Sequence, residues 1–273
     1  MKTLTSAEIL EKVSESSISK ATAGAGRLLL LAVMAGAFIA FGAQASAMAS
    51  FNLTMNPETF GLGRLASAAV FPVGLMMVVL CGAELFTGNT LMITGVLDRK
   101  IKISSMMRNW IVVYVGNFTG ALIIAVFINC SGLLESGGGL LGAATVNTAV
   151  SKVSLSFGKA FLLGIMCNWL VCLAVWMSTG ASETMGKIFS IFFCIGLFVL
   201  SGFEHSVANM YFIPSGMMAA ACDSYVQLSG ADVSGLTLYG FLMNNLLPVT
   251  LGNIIGGGIF VGMAYWFSWK KLQ

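Results

Sequence analysis

Six long apolar stretches, separated by short polar segments, dominate the hydropathy pattern of this 273-residue chain. They cover residues 27–49, 66–97, 110–130, 159–179, 188–221 and 242–269. A helix needs about 20 apolar residues to cross the roughly 30 Å hydrocarbon core of a bilayer, and every stretch reaches that length. The pattern therefore predicts an all-α polytopic membrane protein with six transmembrane helices.

The second and fifth stretches, 66–97 and 188–221, are longer than a bilayer requires. A straight helix of either length would run to roughly 47 Å or more, against about 30 Å of hydrocarbon. Each stretch also contains a polar segment, at residues 84–90 and 201–210. Backbone freed by a helix break is tolerated at membrane depth only where protein buries it or a cavity surrounds it. We therefore predict that both helices are broken and that the two breaks meet along a pathway.

The segment 201–210 contains the only histidine of the chain, His205, next to the carboxylate of Glu204. Ionisable side chains at this depth cost several kcal/mol unless they face a cavity or find partners, so they usually belong to functional sites. A packed histidine that only links two helices by hydrogen bonds is the alternative reading.

The third and sixth stretches share one spacing of residues. Each has an asparagine, then a Gly-Asn pair, then another glycine, namely Asn109, Gly116, Asn117 and Gly120 in one and Asn245, Gly252, Asn253 and Gly256 in the other. Three spans per half place the second half in the membrane with the opposite orientation. The sequence thus predicts two inverted three-helix repeats, residues 27–131 and 159–269, joined by an external loop at 132–158.

Composition agrees with this interpretation and charge sets the orientation. Hydrophobic residues make up 57% of the chain and charged residues 9%, and the mean hydropathy is +0.90. With both termini in the cytoplasm, eleven of the fourteen basic residues lie inside, as the positive-inside rule requires. Residues 1–26 are then a cytoplasmic amphipathic helix along the membrane surface, 270–273 a cytoplasmic C terminus, and the compartment a bacterial inner (plasma) membrane.

Several classes of function are not supported by the sequence. A net charge of +3, dispersed along the chain, gives no footprint for a nucleic-acid partner. The six cysteines form no paired CxxC motifs, so no metal and no cofactor is predicted. A disulfide between Cys130 and Cys222 stays open, because spacing alone does not determine it.

Four motifs, in order, resemble the signatures of the formate/nitrite transporter family. They are AELFTGN at 83–89, CNWLVCLA at 167–174, GFEHSVANM at 202–210 and PVTLGNIIGG at 248–257. The resemblance extends over nearly the whole chain, and within the family it is greatest to the hydrosulfide channels of clostridia. It implies an aquaporin-like protomer, assembled as a homopentamer in the lipid bilayer, with one pore through each protomer.

The resemblance also implies roles for particular residues. The pore centre and its substrate contacts correspond to His205, Thr87 and Asn253. A cytoplasmic constriction corresponds to Leu85, Phe86 and Val171, and an external one to Phe71, Leu75 and Phe198, three residues that would otherwise pass for ordinary core. An external electrostatic relay corresponds to Lys152, Glu204, Asn209 and Asn168.

These expectations describe a channel or facilitator for small monovalent anions rather than an enzyme. Hydrosulfide is the first candidate substrate, with formate and nitrite next, and proton coupling through His205 fits a side chain that titrates near neutral pH. One alternative is an aquaporin-like channel for water or glycerol, although the Asn-Pro-Ala pairs expected at the two breaks are missing. The other is a membrane-embedded enzyme, which lacks a second histidine or a metal-ligand set.

Overall fold

The computed structural model describes residues 3–270, and all regular structure in that range is helical. The α-helices are α1 (Ser6–Thr22), α2 (Ala25–Thr54), α3 (Phe60–Val70), α4 (Val73–Leu80), α5 (Phe86–Asn89), α6 (Ile93–Leu97), α7 (Ile103–Cys130), α8 (Leu140–Val153), α9 (Phe157–Gly180), α10 (Thr184–Ser201), α11 (Ser206–Ala219), α12 (Asp223–Ser229), α13 (Leu247–Gly257) and α14 (Ala264–Trp269). Short 3₁₀ turns lie at Pro57–Thr59, Thr90–Met92 and Leu133–Glu135, and π-helical turns at Gly240–Leu246 and Gly258–Met263.

Six helical stretches of the described chain are long and apolar enough to cross a membrane. They are Ala25–Thr54, Pro57–Leu80, Ile103–Cys130, Phe157–Gly180, Thr184–Ser201 and Gly240–Trp269. One overlaps each apolar stretch of the sequence, although the second begins nine residues before the predicted position 66. The protein therefore has the composition and helix lengths of a multi-pass membrane protein.

In both the second and the fifth apolar stretch, a non-helical segment separates one helix from the next. After α4 the chain is non-helical from Cys81 to Leu85, and α5 begins at Phe86. After α10 the chain turns at Gly202, which has a φ of +79°, and α11 begins at Ser206. This left-handed backbone conformation favours glycine, because a side chain there would be strained.

The long helices pack in pairs through small residues. Gly120 of α7 lies against the backbone of Val33 in α2, and Gly256 of α13 lies against the backbone of Ile165 in α9, so that a Cβ fits at neither glycine. Membrane helices approach this closely where small residues line the contact. The two pairs hold the segments around residues 81–85 and 202–205 at the centre of the molecule.

Helix α1 packs its apolar face against the rest of the chain, and its predicted position along the membrane surface stays a prediction. Its apolar face, Ile9, Leu10 and Val13, is buried in a cluster with Leu91, Cys172, Trp176 and Val261. Ser14 donates a 2.6 Å hydrogen bond to Asp98, which also accepts bonds from Trp266 and Lys270. Packing against other helices removes the apolar face of α1 from water. A single short helix cannot bury that face on its own.

Candidate functional site

Thr87 and His205 meet at the centre of the molecule. The Nε2 of His205 lies 2.9 Å from the Oγ1 of Thr87, and both residues are buried. Thr87 lies in α5 and His205 caps the N terminus of α11, so each follows the non-helical segment of its own stretch. The predicted pair of a threonine and a histidine is therefore assembled from residues 118 positions apart in sequence.

The hydrogen bonds of His205 determine where its proton lies. The backbone N–H of Ala208 donates to Nδ1 at 3.0 Å, so Nδ1 carries no proton. Neutral imidazole then has its proton on Nε2, which donates to Thr87. Among residues 3–270 the Thr87 hydroxyl has no hydrogen-bond partner besides His205, so its own proton is available to a further acceptor.

Two asparagines satisfy the backbone where the helices are interrupted. Asn117 donates to the carbonyls of Ala32 and Glu84 at 2.7 and 2.9 Å and accepts from the N–H of Phe86 at 2.9 Å. Asn253 makes the matching bonds, donating to Gly164 and Glu204 at 2.8 and 3.0 Å and accepting from Ser206 at 2.9 Å. The predicted substrate contact for Asn253 stays a prediction, because its amide is fully used in positioning the segment beside His205.

A narrow apolar cavity of about 10 Å³ adjoins His205. This is close to the smallest volume that can hold one water molecule. Phe71 and Phe198 pack edge to face across it with ring centroids 5.5 Å apart, and Phe198 lies 6.0 Å from the His205 ring. Five predicted constriction residues line the cavity beside His205, namely Phe71, Leu75, Leu85, Val171 and Phe198. Two further lining residues, Ile39 and Ile195, were not identified from the sequence.

Phe86 was predicted at a constriction, whereas Ile39 and Ile195 were not. Phe86 does not line this cavity; it packs against Trp110 and Tyr114 of α7 at ring distances of 6.0 and 4.9 Å. Ile39 and Ile195 line the cavity but carry no sequence signal, since an isoleucine within an apolar span is indistinguishable from core.

The predicted external relay forms around Glu204. Lys152 donates to Glu204 Oε1 at 2.8 Å, and Asn209 donates to Oε2 at 2.6 Å. Asn245, which sequence analysis did not assign to the relay, donates to Glu204 at 3.2 Å and to the Lys152 carbonyl at 3.0 Å. The carboxylate is 7% exposed, and this full set of donors offsets the cost of burying its charge.

Asn168 makes no hydrogen bond to that relay within residues 3–270, so its predicted place there stays a prediction. Its Nδ2 donates to the carbonyls of Thr87 and Asn253 and to the hydroxyl of Thr90, at 3.1, 2.7 and 3.1 Å. Asn168 lies in the middle of α9, and its side chain reaches the start of α5. Asn168 therefore fixes the backbone that carries Thr87.

A second relay of the same composition surrounds Glu84. Lys20 donates to both carboxylate oxygens at 2.8 Å and to Asn89 at 2.9 Å. Asn89 donates to Glu84 at 2.7 Å, and Asn109 donates to the Lys20 carbonyl at 3.1 Å. Sequence analysis missed this network, although a signal was present: Lys20 precedes Arg27 by the seven residues that separate Lys152 from Lys159 in the other half.

The two relays differ in the acceptors of their lysines. Asn89 Oδ1 accepts from Lys20, whereas the corresponding Asn209 Oδ1 is buried without a hydrogen-bond partner within the described chain. Lys152 instead lies 5.3 Å from the Phe212 ring centroid, a cation–π arrangement. Lys152 consequently donates hydrogen bonds to fewer acceptors than Lys20 does.

The structure shows no metal-ligand cluster and no disulfide among residues 3–270, and the thiol of Cys172 donates to the carbonyl of Thr87 at 3.4 Å. Residues 3–270 contain no group of three or more His, Cys, Asp or Glu side chains placed to hold a metal ion. All six cysteines are free thiols, including Cys130 and Cys222, which are both exposed.

Six apolar helices with two partly buried lysine–glutamate relays define an integral membrane protein with a polar interior. Residues 7–267 match the family described as "Formate/nitrite transporter". The formate channel FocA of Escherichia coli (strain K12) is 37% identical over 270 residues, 97% of this chain and 94% of the relative. The formate channel BtFdhC of Bacillus thuringiensis is 38% identical over 266 residues, 97% of this chain and 95% of the relative.

A solved structure described as a pentameric formate channel with formate bound superimposes with a TM-score of 0.79. It is 36% identical in sequence, and the match covers 90% of this chain and 98% of that one. The chain belongs to the formate/nitrite transporter family. The family resemblance stated from the four sequence motifs is thereby confirmed.

Proposed function

We propose that this protein conducts small monovalent anions across a bacterial inner membrane, with formate as its principal substrate. The observation that carries the proposal is the buried Thr87–His205 pair, which lies beside a narrow apolar cavity and between two lysine–glutamate relays. Relatives named as formate channels support the choice of substrate. Hydrosulfide was the first candidate from the sequence. It and nitrite stay predicted as further substrates.

The hydrogen bonds of the pair suit an oxyanion. His205 donates from Nε2 to Thr87, which leaves the Thr87 hydroxyl proton for an oxygen of the passing substrate. A hydroxyl rotates freely, so Thr87 can bind a carboxylate as donor and a protonated acid as donor or acceptor. The same two groups therefore accommodate formate and formic acid.

The relays and the cavity act in sequence on the substrate. Lys20 and Lys152 place positive charge on the two sides of the narrow cavity, where it attracts anions. Inside the apolar cavity an anion loses water, which raises the pKa of its conjugate acid and favours the neutral form. Proton coupling through His205 stays a prediction, and it requires the Ala208 N–H to release Nδ1.

The topology that we propose follows the matched contacts of the two halves. Residues 27–131 and 159–269 form inverted repeats with broken second and fifth helices, and the two asparagines and two relays are equivalent positions. Both termini lie in the cytoplasm and residues 132–158, with α8, on the external side. A homopentamer is the proposed assembly, supported by the structural neighbour described as pentameric.

Flux measurements in proteoliposomes test the proposal. Formate, nitrite and hydrosulfide are compared across a pH series for the native protein, Thr87→Val and Thr119→Val; the latter is a matched control, because Thr119 is exposed on α7. We expect Thr87→Val to lower formate flux at least tenfold and Thr119→Val to leave it unchanged. Water permeation without formate flux would support a neutral-solute channel, and chemical turnover of an added solute an enzyme; either result would overturn the proposal.

A further inference from the structure

A cavity lies beneath α1, and sequence analysis assigned it no role. Its volume is about 240 Å³. We call it the α1 cavity, and its lining residues are Lys12, Val13, Ser16, Ser17, Lys20, Val79, Gly88, Leu91, Met92, Val175, Ser178, Thr179 and Lys187. One lining residue, Gly88, directly follows Thr87 in α5.

The lining of the α1 cavity carries three lysines and no carboxylate. Lys20 is balanced by Glu84, 2.8 Å away. Lys12 and Lys187 have no carboxylate oxygen within 4.0 Å in the part of the chain that the structure describes. Two ammonium groups that face one cavity repel each other, and an anion bound between them removes that repulsion.

Four residues of the lining carry hydroxyl groups. Lys12, Ser16 and Lys20 lie four residues apart on one face of α1, and Ser178 and Thr179 face them from α9. Each hydroxyl now donates to a carbonyl of its own helix, at 2.8 Å for Ser16 and Thr179. A hydroxyl that rotates can donate to a bound oxyanion instead.

Size separates this cavity from the substrate site. A water molecule in the liquid occupies about 30 Å³, so the α1 cavity of about 240 Å³ has room for an anion with several oxygens and part of its hydration shell. The cavity beside His205 measures about 10 Å³. An anion that fills the first is too large for the second.

We propose that the α1 cavity binds a multivalent oxyanion of the phosphate or polyphosphate class, which does not permeate and blocks the passage of small monovalent anions. The blocking effect rests on the proposed function, whereas binding rests only on the cavity. Lys12 and Lys187 supply the charge that a monovalent substrate does not need.

Binding is tested on the full chain in a neutral detergent by titration calorimetry with inorganic pyrophosphate, at constant ionic strength set with chloride. The variant Lys12→Gln/Lys187→Gln is compared with Lys102→Gln, a cytoplasmic-loop lysine outside the cavity. We expect the double variant to bind at least tenfold more weakly and the control to bind as the native protein does. Equal affinity in the two variants, or no binding to the native protein at millimolar pyrophosphate, overturns the proposal.

Block is tested by formate flux in vesicles of zwitterionic lipid and in vesicles containing an anionic phospholipid. Inhibition by pyrophosphate in both, lost in the double variant, supports a soluble anion. Inhibition that disappears with anionic lipid points to a lipid phosphate group and overturns a soluble occupant. Absence of formate flux without pyrophosphate contradicts the proposed function, while the calorimetry still decides on the site; binding without inhibition contradicts the block alone.

Discussion

Lys20 and Glu84, 64 residues apart, form an ion pair of 2.8 Å that repeats the pair between Lys152 and Glu204 in the other half of the chain. In each half an asparagine five residues after the glutamate, Asn89 or Asn209, donates to that glutamate. Buried charges of this kind persist only with complete hydrogen bonding. The equivalence means that both sides of the Thr87–His205 pair carry the same electrostatic device.

The first prediction concerns the two lysines. Lys152→Gln and Lys20→Gln are each expected to raise the formate concentration for half-maximal flux about fivefold, since one charge at close range in a water-like dielectric contributes about 1 kcal/mol. The effect should be larger for flux that starts on the side of the altered lysine. Lys102→Gln is the control, and an equal effect of all three variants would contradict a local role for the relays.

The second prediction separates two roles of His205. His205→Asn retains an acceptor for the Ala208 N–H at the start of α11 but cannot reach Thr87, whereas His205→Ala loses both contacts. We expect both variants to lose formate flux, and only His205→Ala to lose about 1 kcal/mol of stability as well. Thermal unfolding in detergent measures the stability. Full flux in His205→Asn would show that the bond to Thr87 is dispensable.

The third prediction concerns the asparagines that support the non-helical segments. Asn117→Ala and Asn253→Ala each leave buried backbone groups without their side-chain partner, at a cost of about 2–3 kcal/mol. Both variants should unfold at a lower temperature than the native protein. The decrease should be the same in the two variants, because the contacts are equivalent. Asn52→Ala, on the exposed surface of α2, serves as control and should unfold like the native protein.

The fourth prediction uses Asp98, which anchors α1. Burial raises the pKa of this carboxyl, but hydrogen bonds from Lys270, Ser14 and Trp266 outweigh burial and hold its pKa below the usual 3.8. A depressed pKa stabilises the folded protein above the unfolded value, and this contribution is lost as pH falls through the folded pKa. Attachment of α1 should therefore weaken only in strong acid.

Asp98→Asn removes the charge at every pH and should loosen α1 at neutral pH by about 1–2 kcal/mol. Hydrogen exchange of residues 6–22 measures the change. Asp232→Asn is the matched control, because Asp232 bonds to Ser234 in an exposed loop far from α1 in sequence. Exchange that is equally fast in the two variants would show that Asp98 does not hold the helix.

The sequence predicted features that depend on hydropathy and on local motifs. Six spans follow from apolar runs, and the pairing of Thr87 with His205 follows from motifs at two polar segments. Lys20 was missed because it lies outside the spans, where a lysine on an amphipathic helix has the pattern of a solvent-exposed residue. Ile39 and Ile195 could not be singled out, since only the three-dimensional packing decides which of many isoleucines borders a cavity.

The role of Asn168 shows a different limit. Its motif predicted a polar group in the interior, but the direction of a side chain in the middle of a helix depends on the rotation of that helix against its neighbours. The packing of α9 turns Asn168 toward the backbone of Thr87 and away from Lys152. Rotation of this kind is set by close glycine contacts along the whole helix, such as Gly164 against Val249.

The apolar cavity beside His205 also bears on the energy supply of a cell. A hydrated potassium, sodium or hydronium ion would have to shed its water among phenylalanine, leucine and isoleucine side chains to pass a space of about 10 Å³. That step costs several kcal/mol for each ion, and no carboxylate or carbonyl in the lining replaces the lost water. Many copies of such a protein can therefore be present in one membrane without a leak of these cations.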